Sequence, residues 1–225
     1  MKSKLFHTNE YISIQSRVQK LINNGPNFLS RNTAQSPRAA GDAIENLVTE
    51  SFEAILGKHC GEYSANFARR AFKDREGLYY IVDVKTHRTD TKFNMPNLTS
   101  VERLARFYED DNNFFTVLMV SYGVKDVKVR VSDVKFVPIE FLGWDCLTIG
   151  ALGWGQIQIA NSNVIKVNPG YSRKKWMLEF CDIMLEFYPK EISKIGERVS
   201  RFEDVRAFWS SKTDTQRLAK RSTEP

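Results

Sequence analysis

This chain of 225 residues has only three cysteines and three histidines, the usual ligands of zinc. Cys60, Cys146 and Cys181 lie far apart without a Cys-x-x-Cys pair, and no His-x-x-x-His spacing occurs, so a zinc site is not expected. The cysteines have apolar or small neighbours, which predicts buried free thiols in a reducing compartment. No apolar run approaches the roughly 20 residues that span a bilayer. We expect a soluble, cytoplasmic protein without a membrane partner.

Basic residues outnumber acidic ones, 33 to 27, which gives a formal net charge of +6. Such a balance favours a polyanionic partner without requiring one. At 42% hydrophobic residues, the chain is long enough for one domain with a sizeable core.

Apolar periodicity predicts an α/β fold with a mixed sheet. Helices are predicted at 9–24, at 44–57, at 99–108 and from Ser172 until Pro189 interrupts the last one. Strands are predicted at 62–72, 78–86, 114–122, 127–137 and 155–166. We assign residues 1–38 to an N-terminal helical segment, 39–209 to the main domain and 210–225 to a polar, basic tail.

The predicted strand 78–86 carries an acid and a lysine near its end, Asp83 and Lys85. Alternate residues of a strand share a face, so these two side chains should lie side by side while Val82 and Val84 enter the core. Three other Asp-x-Lys triplets begin at residues 90, 126 and 133, so the motif alone is weak evidence. Five apolar or aromatic residues precede Asp83, which distinguishes its triplet from the others.

Three segments together resemble type II restriction endonucleases of the PD-(D/E)xK superfamily, especially the blunt-cutting HincII/EcoRV branch. They are Ala39-Ala40-Gly41-x-x-x-Glu45, then Asp83-Val84-Lys85-Thr86 with Pro96-Asn97 ten residues on, and Gln156-Ile157-Gln158 followed by Ser172-Arg173-x-x-Trp176. They occur in the family's order between residues 39 and 187. The resemblance implies a restriction-endonuclease-like fold, a mixed central β-sheet flanked by helices.

The resemblance also implies Mg²⁺-dependent hydrolysis of phosphodiester bonds. Asp83 and the carbonyl of Val84 are then expected to hold the metal, and Lys85 to orient water and stabilise the phosphate oxyanions. Glu45 is expected to assist the metal from its helix; the alternative is a solvated helix residue.

The position of the family's first aspartate is occupied by Asn66, which supplies no negative charge. We expect Asn66 to act as a weak metal ligand and to lower the affinity for Mg²⁺. Either the enzyme works with Asn66, or the alignment is shifted by a few residues, or an Asp-to-Asn change has inactivated the chain. Asp74 is a nearby alternative for this acidic position. Glu62 is too far to substitute for Asn66, because it lies four residues away, about 13 Å along a strand.

Residues 88–100 are the best candidate for reading DNA, because they combine cations, amides and apolar side chains. The predicted contacts are Arg88, Lys92, Phe93, Asn94, Met95 and Asn97. In the family a side chain at the place of Asn94 wedges between bases, a role open to Phe93 or Met95. The alternative is a surface loop with Phe93 and Met95 turned inward.

The glycine-rich stretch 150–155 is a second candidate, with Trp154 and Gln156 as DNA contacts and a core position as the alternative for Trp154. The basic residues between β-rich segments either line the cleft or solvate a hairpin: Arg69, Arg70, Lys73 and Arg75.

These features predict a homodimeric type II endonuclease that cuts double-stranded DNA at a short palindrome and leaves blunt ends. The apolar stripe of helix 9–24 has no evident partner, so it is a candidate dimer contact. One alternative is a structure-specific repair nuclease. A second is a sequence-specific DNA-binding protein with a weakened active site, suggested by Asn66, and a third is an α/β protein without nucleic-acid function.

Overall fold

The computed structural model of the chain describes residues 3–66, 69–92, 95–150, 153–162 and 164–213, and it gives only the backbone of residues 65, 66 and 69. The helices of this described part are α1 (Lys4–His7), α2 (Glu10–Asn24), α3 (Arg31–Gln35), α4 (Pro37–Leu56), α5 (Val101–Phe107) and α6 (Arg173–Ser210). Its strands are β1 (Glu62–Asn66), β2 (Arg69–Lys73), β3 (Tyr79–Arg88), β4 (Asn97–Ser100), β5 (Asn113–Lys125), β6 (Lys128–Pro138), β7 (Leu147–Gly150) and β8 (Gln156–Ile159). The chain divides into two compact units, residues 1–179 and 180–225. This division falls at neither of the predicted boundaries, residues 38 and 209.

The larger sheet has the strand order β1-β2-β3-β5-β6. Strands β3 and β5 run parallel, and the other neighbouring pairs are antiparallel. A parallel pair needs a crossover connection, and the chain between β3 and β5 contains α5. The predicted α/β fold with a mixed central sheet and flanking helices is therefore confirmed. A smaller sheet has the order β4-β8-β7.

Two predicted strands were wrong in extent. Residues 62–72 form not one strand but a hairpin, β1 and β2, in which Asn66 pairs with Arg69. No Gly or Pro lies between residues 62 and 72, so this stretch contains no turn signal. The predicted strand 155–166 shrinks to β8, and its partner β7 was not predicted.

Helix α2 lies on β6 and α4. Its stripe of Ile14, Val18 and Ile22 is almost completely buried. At the end of α2 the amide of Asn23 donates to the carbonyl of Val131 (3.0 Å) and accepts from the Val131 N–H (2.8 Å). The stripe already has partners within the chain, which removes the reason for expecting a dimer contact there.

The three thiols are free, but only one of them is buried. Cys146 is buried as predicted, whereas Cys60 is half-buried and Cys181 is exposed. The prediction was wrong for Cys181 because α6 carries apolar residues on more than one face, so apolar neighbours did not mark its burial.

Helix α6 begins where it was predicted to, since the Ser172 hydroxyl accepts from the N–H of Lys175 (3.3 Å). It does not end at Pro189 but continues to Ser210. Proline removes one backbone donor, yet the turns on either side keep their own hydrogen bonds. Within the described residues, no helix is long and apolar enough to cross a membrane.

The first turn of α6 is fixed by a buried ion pair. Arg173 donates from Nε to Glu140 Oε1 (2.8 Å), and its guanidinium lies over the rings of Phe114 and Tyr108. The hydroxyl of Tyr108 donates to the other oxygen of Glu140 (2.8 Å). Nearby, Trp176 is fully buried and donates to the carbonyl of Leu142 (2.9 Å). The helical part of the late segment that resembled the family, residues 172–176, is thus structural.

Replacing Arg173 by Met should lower the free energy of unfolding by roughly 3–5 kcal/mol, because Glu140 would remain buried without its cation. The double variant Arg173→Met, Glu140→Gln should recover part of this loss, since it removes the isolated charge. Urea unfolding followed by circular dichroism measures both changes. A loss below about 1 kcal/mol in the single variant would contradict the role given to this pair.

Candidate active site and nucleic-acid surface

Asp83 and Lys85 lie side by side on β3, as the alternation of the strand predicted. Lys85 Nζ is 3.0 Å from Asp83 Oδ1. The side chains between and beside them, Val82 and Val84, are each 1% exposed, whereas those of Asp83 and Lys85 are 22% and 25% exposed. The strand therefore presents one anion and one cation together at the boundary between core and solvent.

The second carboxylate oxygen of Asp83, Oδ2, is buried and has no hydrogen-bond partner among the described residues. Burial raises the pKa of Asp83 to about 6, and the nearby Glu45 carboxylate adds to the rise, although Lys85 and Arg70 oppose it. A buried polar atom without a partner is uncommon and is often a binding position. Oδ2 is therefore an oxygen ligand held ready for a donor or a cation.

Glu45 reaches this site because α4 packs unusually close to β3. A Cβ atom at Gly41 would lie 2.5 Å from Thr86 Oγ1, so only glycine permits the observed approach. The hydroxyl of Tyr122 donates to the carbonyl of Pro37 (2.9 Å) and fixes the start of the same helix. Glu45 follows Gly41 by four residues and so lies on the same side of α4, facing the sheet.

Arg70, one of the four basic residues considered around the hairpin, belongs to the site, although the sequence did not assign it a catalytic or metal-binding role. It pairs with Val82 across β2 and β3, and its Nη2 donates to Glu45 Oε1 (2.9 Å). Its Nε also donates to the hydroxyl of Thr49. Arg70 therefore does not merely solvate the hairpin, because it joins β2 to α4. Only the strand register shows that this arginine meets α4.

The residues considered for the missing acidic position lie in different places. Asn66 ends β1, two strands from β3, which corresponds to roughly 10 Å between backbones, and its side chain is outside the described part. Asp74 sits before β3, where its carboxylate accepts from the Leu78 N–H (2.9 Å) and the Tyr80 hydroxyl (2.9 Å). Glu62 pairs with Lys73 at that same end of the sheet. Asp74 is thus a turn-forming residue and no rival to Asn66.

The donor set for a divalent cation is small. Among the described residues no group of three or more His, Cys, Asp and Glu side chains forms a metal-binding cluster. Asp83 and Glu45 are close enough for their charges to interact, and Oδ2 of Asp83 has no hydrogen-bond partner among the residues that the structure describes. Hard cations such as Mg²⁺ bind through one or two carboxylates and several waters, so this oxygen of Asp83 fits such an ion.

The predicted DNA-reading segment is only partly described. Arg88 is engaged, because it forms a two-point ion pair with Asp90 (2.8 and 3.0 Å) and donates to the carbonyl of Ala34 (2.8 Å). Lys92 is exposed and Met95 is 45% exposed, so Met95 is not turned inward. Phe93 and Asn94 lie outside the described residues.

The smaller sheet presents two neighbouring amides. Asn97 on β4 pairs with Gln158 on β8, and Gln158 Nε2 donates to Asn97 Oδ1 (2.5 Å). Gly150 permits this, because a Cβ there would lie 2.5 Å from the Gln158 side chain. Gln156, on the same strand, is half-buried.

Trp154 is 77% exposed, so the core alternative for this residue is wrong. It lies between two glycines with positive φ, Gly153 (60°) and Gly155 (114°), in a turn that other residues would strain. Such a turn presents the indole at the surface next to β8. The indole is thus placed to stack on a base or pack on a sugar.

No protein-family model matches this chain, and no curated protein matches it either. The assignment of the site therefore depends on its residues and their geometry.

Asp83→Asn should stabilise the metal-free protein at pH 8 and leave it nearly unchanged at pH 4. A pKa raised from 3.8 to about 6 means that folding is favoured at low pH and that this contribution is lost as the pH rises through the window from about 4 to 6. The shift already includes the attraction between Asp83 and Lys85, and it corresponds to a gain of roughly 3 kcal/mol. Thermal unfolding across this pH range measures the effect, and a variant less stable than the parent at pH 8 would refute it.

Proposed function

We propose that this chain is a type II restriction endonuclease, which hydrolyses phosphodiester bonds of double-stranded DNA at a short sequence with the help of Mg²⁺. The observation that carries the proposal is the contact of Asp83 with Lys85, with one carboxylate oxygen that has no hydrogen-bond partner in the described part of the chain. This reaction requires an acid that can hold a cation, and beside it a lysine that can contact a phosphate.

Asp83 Oδ2, Glu45 and the carbonyl of Val84 would hold the metal ion. A bound Mg²⁺ supplies acidity to a water ligand and neutralises charge on the phosphate. With its pKa of about 6, Asp83 is mostly ionised at neutral pH and can act as a ligand. Lys85 keeps its ammonium group at the same position, where it can orient the attacking water and stabilise the negative oxygens of the phosphate.

Recognition of DNA is assigned to the surface that includes Lys92, Met95, Asn97 and the turn at Trp154, together with the predicted contacts Phe93, Asn94 and Gln156. The net charge of +6 favours binding to the phosphate backbone, and amides such as Asn97 can read base edges. A homodimer would read the two halves of a palindrome and cut one strand with each copy. The family resemblance implies that these cuts leave blunt ends.

One observation favours a second function, a sequence-specific DNA-binding protein with weakened catalysis. Arg70 already neutralises Glu45, so the side chains described at the site include two cations, Arg70 and Lys85, against two carboxylates. A net charge of zero attracts a divalent cation less than a net negative charge does. A structure-specific repair nuclease would share the same residues and differ in its preferred DNA.

Digestion of mixed-sequence plasmid and genomic DNA with Mg²⁺ tests the proposal. We expect discrete bands from the parent chain, and a loss of at least 100-fold in rate for Asp83→Ala and for Lys85→Met. Cleavage restricted to branched or mismatched DNA would favour the repair nuclease.

The variant Asn66→Asp belongs in the same digestion experiment. Bands from this variant alone would show that Asn66 limits catalysis. Specific binding without cleavage by either chain would select the DNA-binding protein, and the absence of salt-dependent DNA binding would refute both.

Arg70→Met should strengthen the binding of Mg²⁺, because it releases Glu45 while keeping most of the side-chain volume at β2. The increase in melting temperature on titration with MgCl₂, in the absence of DNA, should reach half its maximum at an at least threefold lower Mg²⁺ concentration than in the parent chain. Asp83→Asn should abolish the increase in both backgrounds. An unchanged titration in Arg70→Met would mean that Glu45 does not contribute to the metal site.

A further inference from the structure

The part of α6 that lies in the second unit carries a seven-residue repeat of apolar side chains. Apolar residues recur alternately four and three positions apart, with Arg206 at one place in the series. The members of this stripe are Leu185, Tyr188, Ile192, Ile195, Val199, Phe202 and Trp209. A spacing that averages 3.5 residues keeps them along one line of the helix and is the pattern of a coiled coil.

The stripe is exposed to solvent. Apart from the half-buried Tyr188, its members are between 47% and 74% exposed. An isolated helix with such a line of large apolar groups is marginal in water, and contiguous exposed apolar surface of this kind marks an interaction site.

A second copy of the chain is the occupant that fits the stripe. Residues 214–225 contain one large apolar residue, Leu218, which is too little to cover a line of seven. An identical helix supplies an equally long stripe with matching spacing. Ile192 and Val199 each stand at the first position of a seven-residue repeat. Both are β-branched, which at this position favours two-stranded coils.

The charges beside the stripe favour a parallel pair. Arg198 directly precedes Val199, and Glu203 directly follows Phe202, so the two flank the stripe on opposite sides. In a parallel, in-register coil, Arg198 of one copy faces the residue five positions later in the other copy. Each Arg198 is therefore paired with Glu203 of the second copy. Arg206 is the single charged residue within the stripe, and a lone polar residue there fixes the register.

We propose that residues 185–209 form a parallel two-stranded coiled coil with the same residues of a second copy, and that this helix is the dimer contact of the protein. The proposal depends on the helix alone and needs neither metal nor DNA. Its failure would therefore leave the assignment of Asp83 and Lys85 intact, and loss of cleavage would leave the coil intact.

Sedimentation velocity of the full chain, without Mg²⁺ or DNA, tests the contact. The parent chain should be a dimer at low micromolar concentration, and Phe202→Lys should weaken the dimer at least tenfold. Phe208→Lys is the matched control, since Phe208 is also more than half exposed but lies off the stripe, and it should leave the dimer intact. A monomeric parent chain at 50 µM, chosen to lie at least about tenfold above the expected dissociation constant, would overturn the proposal. So would a trimer, or equal effects of the two substitutions.

Charge exchange tests the parallel register. Arg198→Glu alone and Glu203→Arg alone should each weaken the dimer severalfold, because like charges then face each other in both pairs. An equimolar mixture of the two variants should dimerise as the parent does, since every pair in the mixed dimer has opposite signs. A mixture no better than its separate components would overturn the parallel arrangement.

Discussion

The burial of β3 is the constraint on which the fold and the candidate site both depend. This strand is hydrogen-bonded on both edges, to β2 and to β5, and it sends Tyr80, Val82 and Val84 into the core. Any acid on such a strand is forced to the boundary of the low-dielectric interior. Asp83 therefore loses hydration as a consequence of the fold, and its pKa is raised because of its position in the sheet.

The surrounding residues compensate only in part for the lost hydration of Asp83. Lys85 pairs with one oxygen of Asp83, and Arg70 is occupied by Glu45, so the other oxygen of Asp83 has no hydrogen-bond partner among the side chains that the structure describes. A protein selected for stability alone would have an apolar residue or a fully paired carboxylate there. Residues that cost stability in this way are typical of sites that bind or react.

The sequence was sufficient for the features that depend on local pattern. Alternation identified β3 and placed Asp83 beside Lys85, and helical periodicity identified α2 and α4. The features that depend on pairing between distant segments escaped it. The hairpin of β1 and β2 has no turn signal at its reversal, and the meeting of Arg70 with Glu45 follows from the register of β2 on β3 and from the close approach at Gly41. The solvent exposure of the apolar residues of α6 could not be predicted either, since the sequence does not distinguish an apolar residue that faces the core from one that faces solvent.

The side chain of Asn23 has a consequence for the behaviour of the sheet in solution. Strand β6 is an outer strand, and its free backbone groups at Val131 would invite another extended chain to add to it. The amide of Asn23 satisfies both the N–H and the carbonyl of Val131, and α2 lies over the strand. At Val131 the outer strand is closed to intermolecular strand addition, which is a route to aggregation.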